Sequence, residues 1–67
     1  MKLLIRLHHN KNYYTIYKKG ECVPLIEGHI NGKNVREIAK DNGYKIVSMA
    51  LEESSSYDIS KYCLEVK

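Results

Sequence analysis

Leu3, Ile5 and Leu7 alternate with Lys2, Arg6 and His8, and only Leu4 breaks the period of two. Such a repeat gathers its apolar residues on one side of an extended chain, whereas a helix would scatter them around its circumference. Residues 2–8 therefore read as a half-buried strand. The polar stretch His9–Asn12 reads as a turn, because Asn tolerates left-handed backbone geometry. Residues 13–19 are β-branched and aromatic and read as the returning strand. The chain opens with a β-hairpin.

The remainder alternates between turn signals and periodic runs. Lys19-Gly20-Glu21 is a turn, and Cys22–Glu27 reads as a third strand that Pro24 confines to a sheet edge, since proline cannot donate to a ladder. Residues 28–32, bounded by Gly28 and Gly32, read as a loop. Asn34-Val35-Arg36-Glu37 has the form of a capping box, followed by Val35, Ile38 and Ala39 as one apolar stripe. Asn42-Gly43 ends this short helix, and Tyr44 is placed to pack back on its last turn. Ile46–Leu51 carries apolar residues on both faces and reads as a central strand. Glu52–Ser56 reads as a polar turn. Tyr57–Val66 reads as the last strand, with a bulge near Ser60 where its apolar alternation changes phase.

The pattern predicts a single small α+β domain over residues 1–67. Its order is β-β-(β)-α-β-β, a mostly antiparallel four- to five-stranded sheet with one short helix packed on one face. The expected edges are the Pro24 strand and the Tyr57–Val66 strand, and an edge of the second kind offers itself for pairing, including homodimer formation. Residues 1–9 lack the apolar run and cleavage site of a signal peptide, and no segment approaches the length of a membrane span. A cytoplasmic protein with no membrane association is expected, with Cys22 and Cys63 as free thiols.

Charge bears on function. Five of the eleven basic residues lie within residues 1–20, where there is no Asp or Glu, and all eight acidic residues follow; the net charge is +3. All of the aromatic content is Tyr, six residues, and three of them share the hairpin with the cations. Lys2, Arg6, His8, Tyr13, Tyr17, Lys18 and Lys19 are the candidate partner-binding residues. Thr15 and Lys19 are expected on the same face as Tyr13 and Tyr17, with Tyr14 and Ile16 turned inward.

The chain holds three His and two Cys, but no C-x-x-C or H-x-x-x-H pair, so no metal or other cofactor is expected. Gly28 and Asn31-Gly32 are followed by no Gly-Lys-Ser/Thr sequence, which leaves them as the approach to the helix and not a phosphate loop. The expectation is a non-enzymatic binding module that docks on a macromolecular partner, most readily a protein, through a sheet face or edge. An inhibitor or adaptor fits, and the Lys-, Asn-, Ile- and Tyr-rich usage is that of a low-G+C bacterium or a mobile element such as a phage or plasmid. The alternative is nucleic-acid binding by the basic, Tyr-rich hairpin, with lysines on phosphates and tyrosines on bases. A third is a small ribonuclease using His8, His9 or His29, oriented by Glu27 or Asp58.

Overall fold

The opening hairpin forms as its alternation requires. The computed structural model describes residues 1–55 and 58–67. In it β1 (Lys2–His8) pairs antiparallel with β2 (Tyr13–Lys18), setting Ile5 opposite Ile16 and Leu7 opposite Tyr14. One 3₁₀ turn, His9–Lys11, makes the reversal, and Asn12 closes it with left-handed backbone at φ 53°. The Asn12 side chain also fastens a second turn, accepting from the Asn31 N–H at 2.8 Å and donating to Asn31 Oδ1 at 3.0 Å.

Further along lie β3 (Pro24–His29), α1 (Val35–Asp41), β4 (Ile46–Ser55) and β5 (Ile59–Val66). All strand pairs are antiparallel, and the sheet order is β3-β2-β1-β5-β4. This is the expected α+β fold, with the third strand present and Pro24 at an edge.

Helix α1 has both of the ends its sequence specifies. Asn34 Oδ1 accepts from the Glu37 N–H at 2.9 Å and Glu37 Oε1 accepts from the Asn34 N–H at 3.3 Å, which completes the capping box. At the other end the Tyr44 N–H reaches the Ala39 carbonyl at 2.9 Å and the Gly43 N–H the Lys40 carbonyl at 3.0 Å, with Gly43 at φ 82°. Those two bonds are the Schellman pattern. Val35, Ile38 and Ala39 face the sheet and join Leu3, Ile5, Leu7, Tyr14, Ile16, Leu64 and Val66 in the core, with Tyr44 packed against it.

The far side of the sheet differs from expectation. Ile46–Leu51 is part of the edge strand β4 and not a central strand, and β5 lies inside the sheet and is not an edge. Glu52–Ser55, expected as a turn, continue β4. On this side the register shifts fall in β4, between Ile46 and Ser48 and between Leu51 and Glu53, and not near Ser60; a further shift lies in the β2–β3 ladder between Ile16 and Tyr17. In β5, Ile59 lies opposite His8 on one face while Tyr62, Leu64 and Val66 take the other, so plain alternation accounts for the change of phase. Tyr57 and Ser56 lie outside the described residues. The third strand starts two residues later than expected and takes in Gly28 and His29.

The glycine in β3 has a packing reason. Gly28 lies opposite Tyr14, and a Cβ there would come within 2.8–2.9 Å of the Tyr14 phenol. The ring cannot readily swing away, because Asn42 Nδ2 donates to Tyr14 Oη at 3.0 Å and the residue is buried. Gly28→Ala is therefore expected to destabilise the fold by about 1–3 kcal/mol, as overpacking does. Chemical denaturation measures this, and a neutral result would mean that the phenol moves freely.

Candidate binding surface on the open face

The face of the sheet away from α1 collects one side of every strand. Register places Glu27, Thr15, Arg6, Lys61 and Glu53 in one row across all five strands. A row nearer the 3₁₀ turn runs His29, Tyr13, His8, Ile59, Ser55, and one on the other side runs Tyr17, Leu4, Cys63, Ala50. Lys2 follows, opposite Glu65. Of the candidate binding residues, Lys2, Arg6, His8, Tyr13 and Tyr17 thus share this face. Lys18 does not: it stands opposite Leu3, in register with the helix side.

The basic bias of the first twenty residues is only partly offset in space: of its five basic side chains, Lys19 alone forms an ion pair among the described residues. Lys19 Nζ reaches across to Glu52 Oε1 at 3.2 Å and Cys63 Sγ at 3.6 Å. The Glu52 hydrogen bond is the main reason the Lys19 ammonium holds its proton above the ordinary lysine range. Lys61 has Glu53 at 3.9 Å, and the Met1 amino group has Glu65 at 3.3 Å. These pairs are exposed and worth little to stability. Their effect is on the surface potential, which is mixed where a reading of residues 1–20 alone suggests a positive patch.

Arg6, at the centre of the face, has no acid beside it in register. It lies directly opposite Lys61, a like-charge pairing that disfavours the strand contact, and among the described residues it forms no ion pair. Its neighbour on the other side, Thr15, is 4% exposed, and the Thr15 hydroxyl has no hydrogen-bond partner among the described residues. Two shallow concavities meet at the Arg6–Lys61 pair. One, of about 260 Å³, is lined by Leu4, Arg6, Tyr17, Glu21, Cys22 and Lys61; the other, of about 200 Å³, adds Glu53, Ser55 and Ile59 to the same two cations.

The histidines are occupied separately. His8 stacks on Tyr13 with ring centroids 4.4 Å apart and planes 7° from parallel. Its pKa is held below the ordinary imidazole value, first by burial and then by the positive charges of Arg6 and Lys11. His9 Nε2 lies 3.4 Å from Ser60 Oγ, and His29 Nδ1 lies 3.3 Å from the Asn12 carbonyl. Among the described residues no three His, Cys, Asp or Glu side chains gather as a metal site, and both cysteines are free thiols. No helix of the described residues is long and apolar enough to cross a membrane.

Lys61 is the residue of this site that sequence reasoning did not select. Its place beside Arg6 depends on β5 pairing with β1, a contact between residues 55 positions apart that no local pattern announces. Comparison with protein-family models, characterised proteins and solved structures gives no match.

Because the neutral imidazole of His8 is the form the fold favours, its contribution to stability is present above about pH 6.5 and is lost as pH falls through the lower folded value. Arg6→Gln removes one of the charges that depress it. The His8 titration midpoint, followed by NMR of the ring protons, is expected to rise in that variant. An unmoved midpoint would mean that Arg6 and His8 do not interact.

Proposed function

We propose that this chain is a non-enzymatic binding module that docks on an acidic patch of a protein partner through the open face of its sheet. The observation that carries the reading is the Arg6–Lys61 pair, two cations held in register beside a buried Thr15 hydroxyl that has no hydrogen-bond partner among the described residues. A carboxylate seated between them would replace repulsion with two charge-assisted hydrogen bonds. Tyr17 and the stacked His8–Tyr13 pair flank that point and offer flat, amphipathic anchor surface of the kind that dominates protein interfaces. A usual contact takes about 800 Å² from each partner, roughly a fifth of the 4417 Å² this chain exposes. Its action would be steric, as an inhibitor or adaptor in the cytoplasm of a low-G+C bacterium or a cell carrying its mobile elements.

The distribution of acids favours a protein over nucleic acid. A phosphate track needs cations in sequence along a groove. Here Glu27, Glu53, Glu65 and Glu52 interrupt or neutralise them, and Lys18 stands on the helix side of the register.

Affinity capture from a lysate, with and without nuclease, separates the two readings. The partner is expected to persist after nuclease treatment and to be lost, by about tenfold or more in affinity, when Arg6 and Lys61 are both changed to Glu. A partner that disappears with nuclease, or binding that falls steeply with salt, would move the assignment to nucleic acid.

A further inference from the structure

The second exposed edge of the sheet is unlike the first. Strand β3 is blunted by Pro24, whereas β4 is ten residues long, contains no proline and displays three large apolar side chains: Val47 59%, Met49 36% and Leu51 57% exposed. Met49 and Leu51 stand opposite Leu64 and Tyr62, on the helix side of the sheet. Beside them an open groove of about 240 Å³ is lined by Asn34, Val35, Arg36, Met49 and Tyr62. Long apolar edges of this kind are what other chains pair with.

We propose that the occupant of this edge is a second copy of the chain, paired β4 to β4 antiparallel about a two-fold axis at Ala50. The strand is complementary to itself. With Ala50 on the axis, Met49 of each copy stands opposite Leu51 of the other, so four apolar side chains meet on the helix side next to the two grooves. Ala50 meets its own mate on the open side, and Ser48 stands opposite Glu52. The Met49–Leu51 and Ala50–Ala50 pairs keep the faces that the β4–β5 register assigns. Sliding the copies so that Leu51 takes the axis sets Glu53 against Met49, and a further step sets Glu52 against Glu52, which like-charge repulsion opposes. The register shifts at Ile46/Ser48 and Leu51/Glu53 fall at the two ends of the paired segment Ser48–Glu52, and the alignment is set between them. Closed two-fold pairing also leaves no further β4 edge to propagate an assembly.

This proposal stands apart from the open-face reading, and its test does not involve that partner. Sedimentation of the full chain is followed over a wide concentration range, up to about 1 mM, because a single strand pair is a small interface. The wild type is expected to move toward twice its 7.8 kDa mass. Amide exchange should slow with concentration in residues 48–52 and not in β3. Leu51→Lys enters the interface twice and is expected to weaken dimerisation at least about tenfold, while Val23→Lys near the opposite edge leaves it unchanged. Leu51 is exposed, so circular dichroism of the variant should match the wild type. A monomer at every concentration, or a dimer that Leu51→Lys spares, overturns the proposal. So does a monomer whose β4 amides are protected only when a different protein is added.

Discussion

A chain that enters its helix from one edge strand and leaves it into the other must carry that helix across the whole sheet. The span from β3 to β4 is four strand spacings, about 19 Å, while the seven residues of α1 make about 10 Å of helix. One helix of that length covers the middle of a five-stranded sheet and no more. Leu3, Ile5, Ile16 and Leu64 consequently reach full burial beneath it, and Ile38 on its underside is buried against the sheet. Met49 and Leu51, on the same face but farther out, stay exposed. The capping box and the Schellman closure matter because they stop the helix at both ends and turn the chain back toward the sheet. A helix this short is not stable alone and is held by docking.

The same crossing explains why the two sides of the molecule differ in kind. The helix side is apolar under α1 and ends in an uncovered apolar margin at β4. The open side has no covering layer, so its stability rests on side chains lying flat on one another: His8 on Tyr13, Lys19 over Cys63, and Thr15 almost closed from solvent. Charges there are placed by strand pairing, and three of the cations find acids from β4 or β5. Arg6 lies on the central strand with Thr15 on one side and Lys61 on the other, which leaves it without such a neighbour.

What could be read from the sequence divides along the same line. The hairpin, the capping box, the helix stop and the inward side of β1 and β2 rest on residues close together in the chain, and all were legible. Strand neighbours were not. Alternation assigns a residue to a face, but it does not say which strand lies beside which, and the choice between Ile46–Leu51 and Tyr57–Val66 as the edge turned on that. Apolar residues on both faces suggested burial of β4, yet the short helix leaves them uncovered. Polar composition suggested a turn at Glu52–Ser55, yet pairing with β5 carries the strand through them. The make-up of the open face was half legible for the same reason: that Lys2, Arg6, His8, Tyr13 and Tyr17 share it followed from period two within one hairpin, and Lys61 required the long-range pairing.

The two proposed surfaces are compatible in geometry. Pairing of β4 about a two-fold axis perpendicular to the sheet keeps each face continuous across the joint, so both Arg6–Lys61 pairs would look the same way. Two modest contacts on one side of a rigid sheet would act together on a partner that presents matching acidic sites. The second contact then forms at high effective concentration without any additional chemistry. A chain of 67 residues has little surface from which to build one strong interface. Joining two copies along a strand enlarges the face while leaving each core as it is, and it does so with the edge that the seven-residue helix leaves uncovered.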